Sequence, residues 1–511
     1  MANKDIILAI DIGTSGVKAS LIQRQGQVLD SIYQGYPTQH RGKFVEQNPG
    51  DWWQAVIHSI NALMQRHAEH PPQAVVMSGQ MQNVILCSQE EHLAPAILYS
   101  DTRAAVEAKR VQEQIGEMRL RQVTGNLQDA SSLLAKLLWV KEHWQEVYHN
   151  AQILFLGAHD YVTWRLCRAW VTDLTTASTT GLLNLNSNTW AVEFLTELGL
   201  RTDWLPELVS ADQPTGFTSA SLAEATGLPQ GIPIFHGAGD AATTTLGARA
   251  GEAGRLYIYL GTSGWLATTE LFAPADPLTG VFNLRHPDPR RLILIGPMLT
   301  AAGNLDWIRE QFGDLERASR QDIHLDAYQL IGDLAAQAPP GSGGVLYLPY
   351  LAGERAPFRD ANARGVFFGL HRSITRFHLY RAVLEGVALG MKTIYRVLPS
   401  TARQESHAGI GLVGGGARSR LWAQIFANVF NSHVQVLANP GDVGARGATL
   451  IAGKALGWYS DYDPPDFFPI QETCDPQPEI VEIYERAFDV FSELYPALKT
   501  CFQHLARAGS Q

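Results

Sequence analysis

The chain has 511 residues, a formal net charge of −10, 45% hydrophobic residues and 18% charged residues. That length exceeds what one hydrophobic core sustains, so two or more domains are expected, and the composition is that of a globular protein. No dense Lys/Arg block occurs, which argues against nucleic acid or an anionic membrane as the main partner but not against a phosphate held by backbone N–H groups and a metal.

The opening run Ile6 to Ile10 has strand length, and Asp11 ends it. It reads as a strand rather than a signal peptide, and no stretch approaches the ~20 apolar residues of a membrane helix. Cys87, Cys167, Cys474 and Cys501 are far apart and form no CxxC pair. This argues against a disulfide framework or a zinc site, and fits a reducing cytosol. A soluble, cytoplasmic protein is expected. Val17–Ile22 and Val28–Tyr33 continue the opening as a β-meander. Asn48 to Asp51 signals the start of a helix that carries Trp52, Trp53, Val56, Ile57, Ile60 and Leu63. The Trp pair is read as packing. A strand is expected over 74–78, mostly helix over 104–150, and strand, turn and helix over 153–166. Ile234-Phe235 is a short strand that enters the turn Gly237 to Asp240.

The domain boundary is placed near 247–254, giving units at 1–247, 248–470 and 471–511, the last a linker and helix. Leu256–Leu260 then repeats the layout of the N-terminus: strand, Gly261-Thr262-Ser263-Gly264, strand. Such an echo suggests two related domains from a duplication. Loop-rich sequence is expected up to 345, then a strand to 348, helices at 376–397 and 419–431, an Asp/Pro-rich stretch at 460–475, and a final helix at 478–505. Alternating strands and helices give the α/β class.

Several segments carry chemistry. In Asp11-Ile12-Gly13-Thr14-Ser15-Gly16, the glycines let successive N–H groups converge on phosphate oxygens, Thr14 and Ser15 add hydroxyls, and Asp11 suits hydrated Mg²⁺. Gly261, Thr262 and Ser263 repeat the device, and two such hairpins can hold a polyphosphate from both sides. The plain alternative for each is a hairpin turn. In IGLVGGGARS a strand runs into Gly414, Gly415 and Gly416, then Ala417 and Arg418 lead to a helix, a site for nucleotide contact or simply for tight packing. Asp240, between small residues where strand becomes helix, fits the one base that phosphoryl transfer needs; the alternative is a helix N-cap. Gln80, Met81, Gln82, Asp101 and Arg103 suit a polyol's directed hydrogen bonds, or are loop polarity. Glu354 and Arg355 either pair structurally, the preferred reading, or face the cleft.

Together these segments resemble the FGGY family of carbohydrate kinases. DIGTSG, GAGDAA, YLGTSG and GGGARS appear in the family's order, and GVFFGLHRSITRFHLYRAVLEG (365–386) is similar to its C-terminal signature. The resemblance implies two ribonuclease-H-like domains of the actin/hexokinase type with a cleft between them. It implies a deep sugar site, ATP mostly on the second domain, Asp240 as general base, and Asp11 near Mg²⁺ and the phosphates. GQM and ILYSDTR look most like xylulokinases, which implies D-xylulose phosphorylated to D-xylulose 5-phosphate, with Gln82, Asn83 and Tyr99 standing where those usually have His, Gly and Trp. Leu133 and Ala135 replace the Thr and Pro usual ahead of Lys136. ERAPFRDANARG also looks like gluconate kinases, so gluconate or another pentulose or polyol is the alternative. A non-catalytic sugar-binding regulator and a chaperone-like ATPase are the alternatives of other classes. A homodimer is compatible with all of these.

Overall fold

The N-terminal apolar run forms β1 (Ile6–Ile12), buried at every position except Asp11. The computed structural model describes residues 5–271, 273–312, 327–404 and 409–508. β2 (Gly16–Gln23) and β3 (Val28–Gly35) complete an antiparallel meander with β1. α1 (Pro49–Arg66) begins where the Asn48 side chain accepts the Gly50 N–H at 3.0 Å, and it buries Trp52, Val56, Ile60 and Leu63 on one helical stripe. β4 (Ala74–Gly79), buried throughout, lies parallel to β1 and sets Ser78 opposite Asp11. After α2 (Ala158–Cys167), β5 (Val171–Asp173) and α3 (Leu174–Ser178) come β6 (Pro214–Phe217) and β7 (Pro233–Gly239). β7 pairs parallel with β4 and runs directly into α4 (Asp240–Gly247).

The second half repeats the plan. β8 (Leu256–Leu260) and β9 (Gly264–Glu270) form a hairpin, and β10 (Phe282–Arg285) and β11 (Leu292–Met298) extend it antiparallel. α5 (Gly303–Phe312), α6 (Ala327–Ala335), β12 (Leu346–Leu348) and the long α7 (Arg376–Val397) follow. β13 (Ile410–Val413), α8 (Arg420–Phe430), β14 (Val434–Leu437), α9 (Val443–Ala455), β15 (Ile470–Cys474) and α10 (Pro478–Ala508) complete the chain. The sheet orders are β6-β7-β4-β1-β2-β3 and β15-β14-β13-β8-β9-β11-β10. The two orders correspond strand for strand, with β10 as the addition. The duplicated, two-domain actin/hexokinase-like α/β fold expected from the sequence is the fold observed.

Two expectations are corrected. The stretch read as loop up to 345 contains β10, β11, α5 and α6, with 313–326 outside the described residues. Pro287, Pro289 and Pro297 interrupt the alternation that would have marked the strands. Residues 471–508 hold the expected helix but no linker: β15 pairs with β14, and α10 buries Tyr484, Phe488 and Phe491 in the second domain's core. Among the described residues no helix is long and apolar enough to cross a membrane. All four cysteines are free.

The helices that follow the last parallel strands meet between the sheets. Ala242 and Leu246 of α4 pack with Tyr257, Ala267 and Ile293 of the second sheet. Ala445, Ala448 and Ala452 of α9 pack with Ile7, Ala9 and Val76 of the first. Each helix therefore lies on the other domain's sheet, and the two touch backbone to backbone. A Cβ on Gly247 would sit 1.8 Å from the Val443 carbonyl oxygen, and one on Gly447 would sit 1.8 Å from that of Thr243. Gly447→Ala is expected to cost ~1–3 kcal/mol or more through overpacking. Urea unfolding measures it against Gly415→Ala, whose added methyl meets open space and should leave stability unchanged.

Candidate active site

The floor of the cleft is built by strand ends. β1 delivers Asp11 and β7 delivers Asp240, both partly exposed amid buried neighbours. Asp240 is the first residue of α4, and Gly239 is its N-cap, so the capping alternative is not what the structure shows. Burial raises the Asp240 carboxyl to about 7, with the nearby charge of Asp11 adding to the effect. Burial likewise raises Asp11, opposed by the Ser78 hydroxyl, which donates to Asp11 Oδ1 at 2.8 Å. Ser78 Oγ in turn lies 2.7 Å from Thr243 Oγ1, linking the two strand ends. The first turn of α9 abuts the other side of Asp11: a Cβ on Gly444 would lie 2.6 Å from Asp11 Oδ2. Both carboxylates thus face helix N-termini, where negative charge is favoured.

The two GTSG hairpins follow β1 and β8. In the first, the carbonyls are tied back into the domain. Gln47 Nε2 donates to Thr14 O at 2.6 Å, Tyr33 Oη to Ser15 O at 2.8 Å, and Tyr36 Oη to Gly13 O. In the second, the N–H groups of Ala301 and Gly303 hold Thr262 O at 2.9 and 3.0 Å, and Ala302 N–H holds Gly261 O at 2.9 Å. With the carbonyls fixed inward, the N–H groups of Thr14, Ser15, Thr262 and Ser263 make no hydrogen bond among the described residues. That is an anion-binding surface made of backbone.

β13 is followed by Gly414, which has a φ of +97°. A Cβ there would lie 2.5 Å from Leu260 O, so the position requires glycine. A tight turn over Gly415–Arg418 follows, and Ser419 caps α8. Gly414, Ala417 and Arg418 share one cavity with Asn439, Asp442 and Lys18. Lys18, from the first domain, donates to Gly441 O at 2.9 Å and pairs with Asp442. Its position was hidden in the sequence because it reads as one polar residue of an alternating strand.

Residues 6–247 match the FGGY family of carbohydrate kinases, N-terminal domain, and residues 256–456 match the C-terminal domain. The chain belongs to the FGGY family of carbohydrate kinases. It is 30% identical over 499 residues to a xylulose kinase of Bacillus subtilis, covering 96% of this chain and 97% of that one. It is also 30% identical over 459 residues to a gluconokinase of the same organism, covering 89% of each. The ligand-bound crystal structure of xylulose kinase from Lactobacillus acidophilus superposes with a TM-score of 0.88 at 28% identity, covering 98% of this chain and all of that one. The protein is therefore a sugar kinase, and the family implies ATP as its phosphate donor.

On the sugar side of this FGGY kinase the structure redistributes the residues expected there. Met81 lies against the backbone next to Asp240: a Cβ on Gly239 would be 2.0 Å from its sulfur. Gln82 is partly exposed, holds a φ of +58°, and reaches Ser131 O at 3.4 Å. Gln80, Asp101 and Arg103 are engaged with neighbouring protein groups. Gln80 is 1% exposed and donates to Gln47 Oε1 at 2.9 Å, so it braces the residue that holds the first hairpin. Asp101 is fully buried, with its oxygens taken by Val45 N–H and by Arg103. Arg103 also pairs with Glu46 at 2.7 Å and lies over the rings of Phe44 and Trp139. A sequence cannot distinguish polar groups kept for a ligand from polar groups committed to each other.

Glu354 meets Arg355 through the backbone rather than through a side-chain ion pair. Its Oε1 accepts the N–H groups of Leu299 and Arg355 at 3.0 and 2.7 Å. Trp52 is buried and donates to Gln47, and Trp53 lies under Arg165, as the packing reading expected. The Tyr99 N–H is held by Asn83 at 3.1 Å, and its exposed ring brings its hydroxyl to 3.5 Å from Thr14 Oγ1. Arg103→Met is expected to lower stability by about 3–5 kcal/mol, because Asp101 would be left buried and unpaired. Denaturant unfolding tests this, and the sugar KM of the folded fraction should stay within about twofold of wild type if Arg103 makes no sugar contact.

Proposed function

We propose that the protein phosphorylates a ketopentose with ATP, D-xylulose to D-xylulose 5-phosphate being the first choice. The observation that carries the mechanism is Asp240: a carboxylate at a strand end, partly open to the cleft, raised to about 7 by burial and by Asp11. A base poised near neutrality can take the proton of the attacking hydroxyl as the new O–P bond forms. Met81, Gln82 and Tyr99 would orient the sugar beside it. Gly13, Thr14, Ser15, Gly261, Thr262 and Ser263 would hold the phosphates through free N–H groups, and Gly414, Gly415, Gly416, Ala417 and Arg418 would border the nucleoside. Asp11, with the Ser78 and Thr243 hydroxyls beside it, is an oxygen-donor set suited to a hydrated Mg²⁺, which prefers one or two carboxylates plus water. Bound there, Mg²⁺ would neutralise phosphate charge.

A neutral sugar is favoured over gluconate by what became of Arg103. The guanidinium expected on the substrate side is neutralised by Asp101 and Glu46 instead of being left for an acid. Gluconate remains the second reading because a gluconokinase relative is as similar as the xylulose kinase one. A regulator without activity is not favoured, since both carboxylates and both hairpins are intact. ATP turnover against D-xylulose, L-xylulose, D- and L-ribulose, gluconate and glycerol decides between these: strongest stimulation by D-xylulose supports the proposal, and strongest stimulation by gluconate replaces it.

Two further outcomes are expected. Asp240→Ala should lower kcat by ~10²–10⁴-fold with the fold retained by circular dichroism. In the wild type, Asp240 is an active base only when charged, and its carboxyl is raised, so kcat/KM should climb with pH through about 7 and level off above it. A profile flat from pH 5 to 8 would remove Asp240 from that role.

A further inference from the structure

Beside the cleft, four side chains from three segments converge in the first domain. His159 and Asp160 open α2, Asp173 ends β5, and His236 lies on β7, four residues before Asp240. All four are buried, with at most 1% exposure. His159 Nε2 is 3.0 Å from Asp173 Oδ2 and 3.4 Å from Asp160 Oδ1. His236 Nε2 is 3.1 Å from Asp160 Oδ1 and 3.6 Å from Asp173 Oδ2. Each residue offers one donor atom within 4.8 Å of the other three.

The four imidazole–carboxylate separations are of the size found between ligands of one metal ion. Bonds of 2.0–2.2 Å from zinc to imidazole nitrogen and carboxylate oxygen place neighbouring ligand atoms about 3.3 Å apart. Hydrogen bonding accounts for only part of the cluster, through His159 Nε2 and Asp173 Oδ2 at 3.0 Å. His236 Nε2 and Asp160 Oδ1 are close, yet neither makes a well-formed hydrogen bond among the described residues. Both carboxylates are oriented from outside the cluster. Asp160 Oδ2 accepts the N–H groups of Leu156 and Gly157 at 3.0 Å each. Asp173 Oδ1 accepts those of Thr175 and Thr176 at 2.8 and 3.0 Å. Asp160 Oδ1 and Asp173 Oδ2 are thereby aimed at the imidazoles, with the Thr176 hydroxyl supporting the latter at 2.6 Å. Such support is the usual accompaniment of a metal-bound carboxylate. The imidazole Nδ1 atoms are buried and unpartnered among the described residues, so the rings are held by packing and by what their Nε2 atoms meet. Two buried carboxylates also need two positive charges, which a divalent ion supplies at once.

We propose that His159, Asp160, Asp173 and His236 form a closed, four-coordinate site for a divalent transition metal, zinc by preference. Two imidazoles and two carboxylates suit zinc more than Mg²⁺ or Ca²⁺, and four protein ligands in a buried site leave no open position. The site is structural. It fastens β7, the strand that ends at Asp240, to the starts of α2 and α3. The scattered cysteines do not count against it, because no cysteine takes part.

The test is metal analysis of the full-length protein expressed with zinc and purified without chelator. About one equivalent of zinc per chain is expected, lost in His236→Gln and kept in His143→Gln, which alters the more exposed Glu107, Glu142 and His143 cluster. In case His236→Gln does not fold, the wild type is stripped with dipicolinate and refilled with Co²⁺. An intense visible band of tetrahedral Co²⁺ and a Tm restored by Zn²⁺ support the site. No bound metal, together with no tetrahedral Co²⁺ band and no Tm response, overturns it and leaves an imidazolium caught between two carboxylates.

Discussion

The contact on which the rest depends is the crossing of α4 and α9. Glycines at 247 and 447 allow the helix backbones to touch, and alanines let each helix lie flat on the other domain's sheet. Interiors are packed too tightly to absorb an added methyl at such a place. Since α4 starts at Asp240 and the first turn of α9 abuts Asp11, the crossing fixes where the two carboxylates stand. The chemistry of the floor is thus a consequence of small residues several ångströms away from it.

That position also sets the electrostatics. Asp11 adds to the rise that burial gives the Asp240 carboxyl, and burial dominates the effect on both acids. Helix N-termini and the Ser78 hydroxyl act the other way. The balance leaves Asp240 near neutrality, where a small change in surroundings alters its charge. The backbone hairpins carry no formal charge, so they can accept anions beside these acids without adding a titrating group of their own.

Much of the fold was legible in the sequence because it rests on short, local signals. The strand–GTSG–strand echo marked the duplication, and the helical stripe of Trp52, Val56, Ile60 and Leu63 marked α1. The prolines around β10 and β11 hid two strands, and the Asp/Pro-rich stretch hid β15. Asp11, Asp240 and the glycine loops were legible as a site because backbone geometry and residue type coincide there. The contacts of Gln80, Asp101 and Arg103 with Gln47, Val45 and Glu46 were not legible because those partners lie in another segment. His159, Asp160, Asp173 and His236 gave no signal for the same reason: their meeting is a property of the folded chain alone.

A duplicated frame would by default present the same chemistry twice, and here it does not. DIGTSG and YLGTSG align letter for letter except at their first two positions, which sets Tyr259 where the first repeat has Asp11. Tyr259 is stacked on Trp265, with centroids 4.0 Å apart and planes 8° from parallel. One repeat keeps an acid at the strand end, while the other closes it with an aromatic pair. The cleft is therefore polarised: two matching sets of backbone donors, but an anionic end on one side only. Two acids facing each other across the hairpins would repel any polyanion lying between them. With one, the frame has a front and a back, and an asymmetric transfer can run on a scaffold of nearly symmetric halves.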